Sequence, residues 1–445
     1  MRRLTLSEHY LNPNINWTSH RDDIEQRYLH SNQINKNTSA MNTLNKLRTF
    51  SILLAASSVL LVSCNDDDED DNPPTTPPES GNIVINSNIT SNTTWTSDNV
   101  YQLGTRVTVL EDVTLTIEPG TIIKGEAGSG PNATALLVAR GGTLIADGTP
   151  EAPIIFTSVA DEMTPEDVAS GNFASPNLDP NIAGLWGGVI VLGRAPISAS
   201  NDNGDVSEIQ IEGIPTSDSN GLYGGNEPAD NSGVIRYISI RHGGSNIGAG
   251  NEINGLTLGG VGSETIVENI EVVANADDGV EWFGGTVNTS NVVVWNCNDD
   301  GIDTDQSWAG TLNNFVVIGV TGHAFELDGP EGSFVDGHTI TNGSVKMSYE
   351  GRITEDVINT DDNSVVDLEN IYFTDLVEGQ AINRVDHEEG VVNYTNILLN
   401  IPAEDVPDYV NGDVPAGVTN GTTPQADISG FGWTWTSQAG AMSGL

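Results

Sequence analysis

Asp278, Asp300 and His323 recur at a nearly constant interval of about 22 residues. Glu281, Asp303 and Glu326 repeat the same spacing. The surrounding words repeat too. Asn275-Ala276-Asp277-Asp278-Gly279-Val280-Glu281 returns as Cys297-Asn298-Asp299-Asp300-Gly301-Ile302-Asp303, and Gly322-His323-Ala324-Phe325-Glu326 is a weaker third copy. If each copy is one coil of a solenoid, strands ~4.8 Å apart bring these residues into two outward rows, with Asp305, Asp328, Asp277 and Asp299 close by. Carboxylates stacked so closely repel, and three outcomes are open: a cation binds, one group keeps a proton, or water screens them. Calcium suits such a row because it accepts six to eight oxygens in loose geometry, with Asp278, Glu281, Asp300, Asp303 and Glu326 as its ligands. The same residues also read as coil corners, where Asp-Gly and Asn-Asp pairs favour left-handed backbone and side-chain capping.

The elements around the rows must be short strands. Each copy follows a β-branched run: Asn269 to Val273, Asn291 to Trp295, Asn314 to Ile318. Similar runs fill the earlier chain, such as 107–110, 114–117, 135–138, 154–157 and 188–192, separated by Pro119-Gly120, Gly141-Gly142 and Asp147-Gly148. A sandwich or propeller would also give short strands. The repeat period, the length of one solenoid coil, decides for an all-β, single right-handed parallel β-helix over residues 81–425, with Val280, Ile302 and Phe325 stacked inside. Residues 426–445, with Phe431-Gly432-Trp433-Thr434-Trp435-Thr436 alternating like an amphipathic strand, are expected to cap the last coil.

Location is written before the repeats. Met41, Lys46 and Arg48 precede a short, mostly apolar run from Phe50 to Val62, closed by Leu61-Val62-Ser63-Cys64. The run is too short to span a bilayer, and Ser63 suits a processing peptidase. The pattern resembles a bacterial lipoprotein signal, which implies lipidation of Cys64 and anchorage in the outer membrane. Residues 1–40 lie upstream of a complete signal and read as a start assigned too early. From 65 to 80 an acidic run and a Pro-rich stretch form a solvated tether, similar to the surface-export signal of Bacteroidota lipoproteins. Seven of the 16 basic and four of the 62 acidic residues precede residue 65, leaving nine and 58 beyond it. That excess argues against nucleic acid and favours cations or neutral ligands. Once Cys64 is lipidated, Cys297 has no intrachain partner and reads as a core residue.

Several segments carry a family likeness: Val113 to Thr121, Gly141 to Thr149, Gly184 to Val189, and Ile238 to Leu258 with Arg241-His242-Gly243-Gly244 inside it. They resemble pectate-lyase-like β-helices of Bacteroidota surface lipoproteins, which implies a fold and leaves activity open. The order Asn275-Ala276-Asp277-Asp278, Asp299-Asp300, Gly322-His323, Arg352-Ile353 also resembles the polygalacturonase-type glycosidases. That likeness would make Asp300 the acid, let Asp278 and Asp299 hold water on the far side of the sugar, and let Arg352 bind a substrate carboxylate. It also places His323 in the catalytic group; in such inverting enzymes the acid and the water-activating carboxylates stand ~6.5–9.5 Å apart. Ala324 and Thr354 depart from that pattern. A uronate lyase would need Arg241, Lys346 or Arg352 as base. Lone bases such as Arg241 read as solvated or locally paired, and His242 as a turn residue. Trp282 and Trp308, with Trp186 and Tyr223, are the residues to stack on sugar if the chain only binds a glycan. The long polar loops 163–182 and 200–231 would then carry recognition. The expectation is a surface-anchored, non-enzymatic glycan-binding protein supported by calcium, facing the exterior, with a surface receptor or transporter as a possible protein partner. An inverting glycoside hydrolase or a lyase is the alternative.

Overall fold

The computed structural model describes residues 81–246 and 253–445, apart from the side chain of residue 131. The signal, Cys64 and the tether lie outside the described residues. Short strands dominate because β-branched runs alternate with turn residues, and the strands stack in parallel. One sheet of eight strands runs through Arg106–Val109, Ala135–Val138, Val189–Leu192, Leu256–Gly259, Val280–Phe283, Ile302–Asp305, Phe325–Leu327 and Asn359–Thr360. A second sheet of 15 strands extends from Asn82–Ile85 to Val418–Asn420, and both are parallel throughout. Each coil contributes to both sheets. This is the expected parallel β-helix.

A bend inside the long strands gives each coil its third straight segment. Asn269, Asn291, Asn314, Asn342, Asn370 and Asn396 all sit there with φ between 53° and 62°. Asparagine tolerates this left-handed backbone better than other side chains. Their amides also join coil to coil, Asn291 to Asn269 at 3.2 Å, Asn314 to Asn291 at 2.8 Å and Asn396 to Asn370 at 2.9 Å. Inside, Val280, Ile302 and Phe325 stack in register and are fully buried, as the repeat predicts. Where Phe315 fills the lumen the next coil has Gly343, whose added Cβ would lie 1.9 Å from the ring.

Two features differ from expectation. Residues 426–445 do not cap the last coil. They form two short helical turns, Ile428–Gly430 and Trp435–Gln438, laid on the outer flank of the large sheet. There Phe431, Trp435 and Met442 pack on Val273, Val293, Trp295, Val316 and Ile318. The aromatic residues that suggested an edge strand are instead a cover for an apolar sheet face. Loop 163–182 packs near the same flank through Met163, Val168 and Phe173. The insert after Val189–Leu192 folds over the eight-strand sheet, where Ile197, Ile211, Ile214 and Tyr223 meet Leu137, Ile190 and Phe283. Among the described residues no helix is long and apolar enough to cross a membrane.

Candidate functional site

The parallel register builds the acidic rows as the spacing predicts. Glu281 pairs with Asp303, and Asp303 with Glu326, on consecutive strands of the eight-strand sheet; Asn359 follows Glu326. The second row is stitched through its corners. The Asp278 carboxylate accepts from the Asp300 backbone N–H at 2.8 Å, and Asp300 in turn accepts from the His323 N–H. Capping across coils is therefore real, but the corner glycines have another reason than the one expected. Left-handed backbone falls on Ala274, Asn296 and Gly319. Gly279 and Gly301 are needed for space: a Cβ on Gly279 would lie 2.6 Å from the Gly301 carbonyl, and one on Gly301 would lie 2.7 Å from Val317.

Burial divides the rows into two parts. Asp278, Glu281 and Asp303 are buried at 6–8 % exposure, and one oxygen from each falls within 4.8 Å of the others. Burial, followed by mutual repulsion, pushes all three well above the ordinary carboxylate range. Beside them is Asn254, 1 % exposed, whose amide nitrogen donates to Glu281 while its Oδ1 has no hydrogen-bond partner. An orphaned buried carbonyl next to three buried carboxyls is unfavourable, and a cation among these oxygens would relieve it.

The other part opens to solvent. Asp300 is buried, whereas His323, Glu326, Asp328, Asp305 and Asn359 are half-exposed. His323 Nδ1 lies 3.1 Å from Asp300 Oδ1. Burial alone would raise Asp300, but His323 and Glu326 outweigh it and hold this carboxyl below its ordinary value. Burial and the neighbouring Asp300 push Glu326 up to about 8. Burial pulls His323 down, yet Asp300 prevails and takes it to about 9. Burial and Glu331 raise Asp305 to about 8, and burial and Asp361 raise Asp328 to about 6. Asp277, Asp278 and Asp299 form a further group of converging oxygens.

Several expected site residues are placed elsewhere. Trp282 and Trp308 are 0 % and 1 % exposed, stacked on each other at 4.8 Å inside the coil, with their indole N–H groups bonded to Thr289 and the Val287 carbonyl. They cannot present a face to sugar. The reason is parity: Trp282 follows the outward Glu281 and so points inward. Trp186 and Tyr223 are buried as well. Arg352 is occupied by backbone, bonding the Gly319 carbonyl and the Cys297 carbonyl at 2.6 Å, with Asn298 at 3.0 Å. Arg241, expected to be solvated or locally paired, is paired with Glu271 and is fully buried, over the Trp435 ring. His242 has the turn backbone expected of it, at φ 59°, and is buried. Cys297 is in the core, its thiol pushed up to about 12 by burial. Sequence reasoning missed Asn254, Asn359 and Asn383, because outward asparagines look like any other turn residue.

The pectate-lyase like beta helix domain model matches residues 87–171 and 173–436. No curated protein and no solved structure matches the chain. The match spans the stacked coils, the insert and the segment folded back on the flank, and the chain belongs to the pectate-lyase-like β-helix family.

Proposed function

We propose that this chain is a lipid-anchored protein of the outer cell surface that holds a glycan on a calcium-bearing β-helix without cleaving it. The observation that carries the reading is the buried convergence of Asp278, Glu281 and Asp303 beside the unpaired Asn254 carbonyl oxygen. An all-oxygen set with no basic side chain among its members suits a hard cation of loose geometry. A calcium ion there would tie three successive coils together beneath the half-exposed row of His323, Glu326, Asn359 and Asn383. That row offers hydroxyl-binding donors and acceptors to a sugar. Lipidation at Cys64 and the acidic tether would hold it off the membrane. Burial of Asp300 speaks against its expected role as the acid, since a leaving group would have to reach it.

A calcium titration by calorimetry, with an Asp278→Asn/Asp303→Asn double variant alongside, tests the site. Glycan-array binding with and without calcium tests the ligand. Tight calcium binding lost in the variant supports the reading; absence of binding removes its basis. The hydrolase reading keeps one observation in its favour: Asp300 is held low while Glu326 is pushed up to about 8, the separation an acid–base pair requires. Turnover of a uronic-acid polymer that disappears in Glu326→Gln would favour it.

A further inference from the structure

Asp300, His323 and Glu326 form a group apart from the buried carboxyls, and one donor atom from each lies within 4.8 Å of the others. They come from two successive coils: Asp300 from one corner, His323 from the corner stacked on it, and Glu326 from the strand that follows His323. We infer that these three side chains bind a transition metal of the zinc class, in a site distinct from the all-oxygen calcium position.

Donor chemistry is the first argument. Imidazole nitrogen favours zinc and its neighbours, whereas calcium takes oxygen. Distance is the second. Donors ~2.0 Å from a tetrahedral zinc stand ~3.3 Å apart, and His323 Nδ1 is 3.1 Å from Asp300 Oδ1. This nitrogen faces the Asp300 carboxylate as an ion pair, so a metal entering the group would take the place of the proton between them. Support is the third. The Asn359 amide reaches both His323 Nε2 at 3.3 Å and Glu326 Oε1 at 3.2 Å, and the Asn383 amide holds Asn359. With metal on Nδ1, Nε2 carries the hydrogen, and the Asn359 amide accepts it by rotating, which exchanges its present contacts with Glu326 and Asn383. Outer contacts of this kind fix the ring and tune metal affinity.

Charge balances as well. Two carboxylates and a neutral imidazole neutralise a divalent ion, and the like-charge conflict between Asp300 and Glu326 disappears. Because His323 and Glu326 are half-exposed, the solvent side leaves a fourth position open, as in three-ligand zinc sites that take water or a ligand oxygen.

Cobalt(II) is the probe, added to the full metal-free chain in the presence of excess calcium. The expected result is visible d–d absorption that zinc abolishes and calcium does not. His323→Gln and Glu326→Gln should lose it, with thermal melting to show that both variants fold. Asn359→Ala should weaken cobalt binding ~10–100-fold. His323→Cys should restore binding with a new sulfur-to-cobalt band. No absorption in the parent chain, absorption unchanged in folded His323→Gln, or displacement by calcium would each overturn the inference. Calcium binding without cobalt absorption would overturn it while leaving the calcium reading intact.

Discussion

Calcium and protons should compete for Asp278, Glu281 and Asp303, and the size of that competition follows from their burial. All three carboxyls are driven well above the ordinary range by burial and mutual repulsion, so calcium must compete with protons for them. A calcium ion needs them ionised, so below their raised values its entry expels up to three protons. Each expelled proton changes the apparent affinity ~10-fold per pH unit, which makes the total up to ~1,000-fold per unit where all three are protonated. Asp303→Asn should lower this to ~100-fold per unit, because one proton fewer is exchanged. Calorimetry in buffers with different heats of ionisation counts the protons directly. Calcium binding that is tight but independent of pH would mean that the carboxyls are already ionised, and the argument from burial would fail.

Without metal, the raised groups also set how stability varies with pH. Glu326 and Asp305 have folded values of about 8 against ordinary values of 4.5 and 3.8, so the folded state binds their protons more tightly than the unfolded one. Their stabilising contribution is full below those ordinary values and is lost as pH rises through about 8; melting temperatures measured across this window should fall, and calcium should reverse the trend. Gly343→Ala places a Cβ 1.9 Å from the Phe315 ring and should cost about 1–3 kcal/mol by denaturant unfolding, with Phe315→Leu in the same chain recovering part of the loss. Glu271→Gln leaves Arg241, fully buried, without its counter-charge and should destabilise by ~3–5 kcal/mol. Because Glu271 also accepts from the Thr436 N–H and hydroxyl, proteolysis of that variant should begin at the C-terminal segment.

The repeat made the β-helix legible. Its near-constant spacing fixes which side chains stack, and the Val280, Ile302 and Phe325 column and the Glu281, Asp303 and Glu326 row both follow from it. Depth was not legible. Register says that Glu281 faces outward, but not that residues far from it in sequence bury it, Asn254 bonding to it and Glu212 of the insert lying close by. The same gap explains the tryptophans. Their closeness to the Asp-Asp-Gly copies suggested exposure, whereas counting one residue on from Glu281 already turns Trp282 inward. The asparagine corner could have been seen. Asn269, Asn291 and Asn314 open the strand-like runs at the repeat spacing, and their residue type is the signal for left-handed backbone.

The C-terminal segment changes what kind of object the solenoid is. Coils that touch only their neighbours would make a stack able to form in order as the chain emerges. Here Thr436 closes on Glu271 across 165 residues, and Gln438 reaches Gly171 across 267. An apolar strip on the flank therefore stays bare until residues 428–445 arrive. A chain cut before residue 428 keeps that sticky strip exposed. Dryness of that side is thus tied to residues far along the chain from the strands they cover.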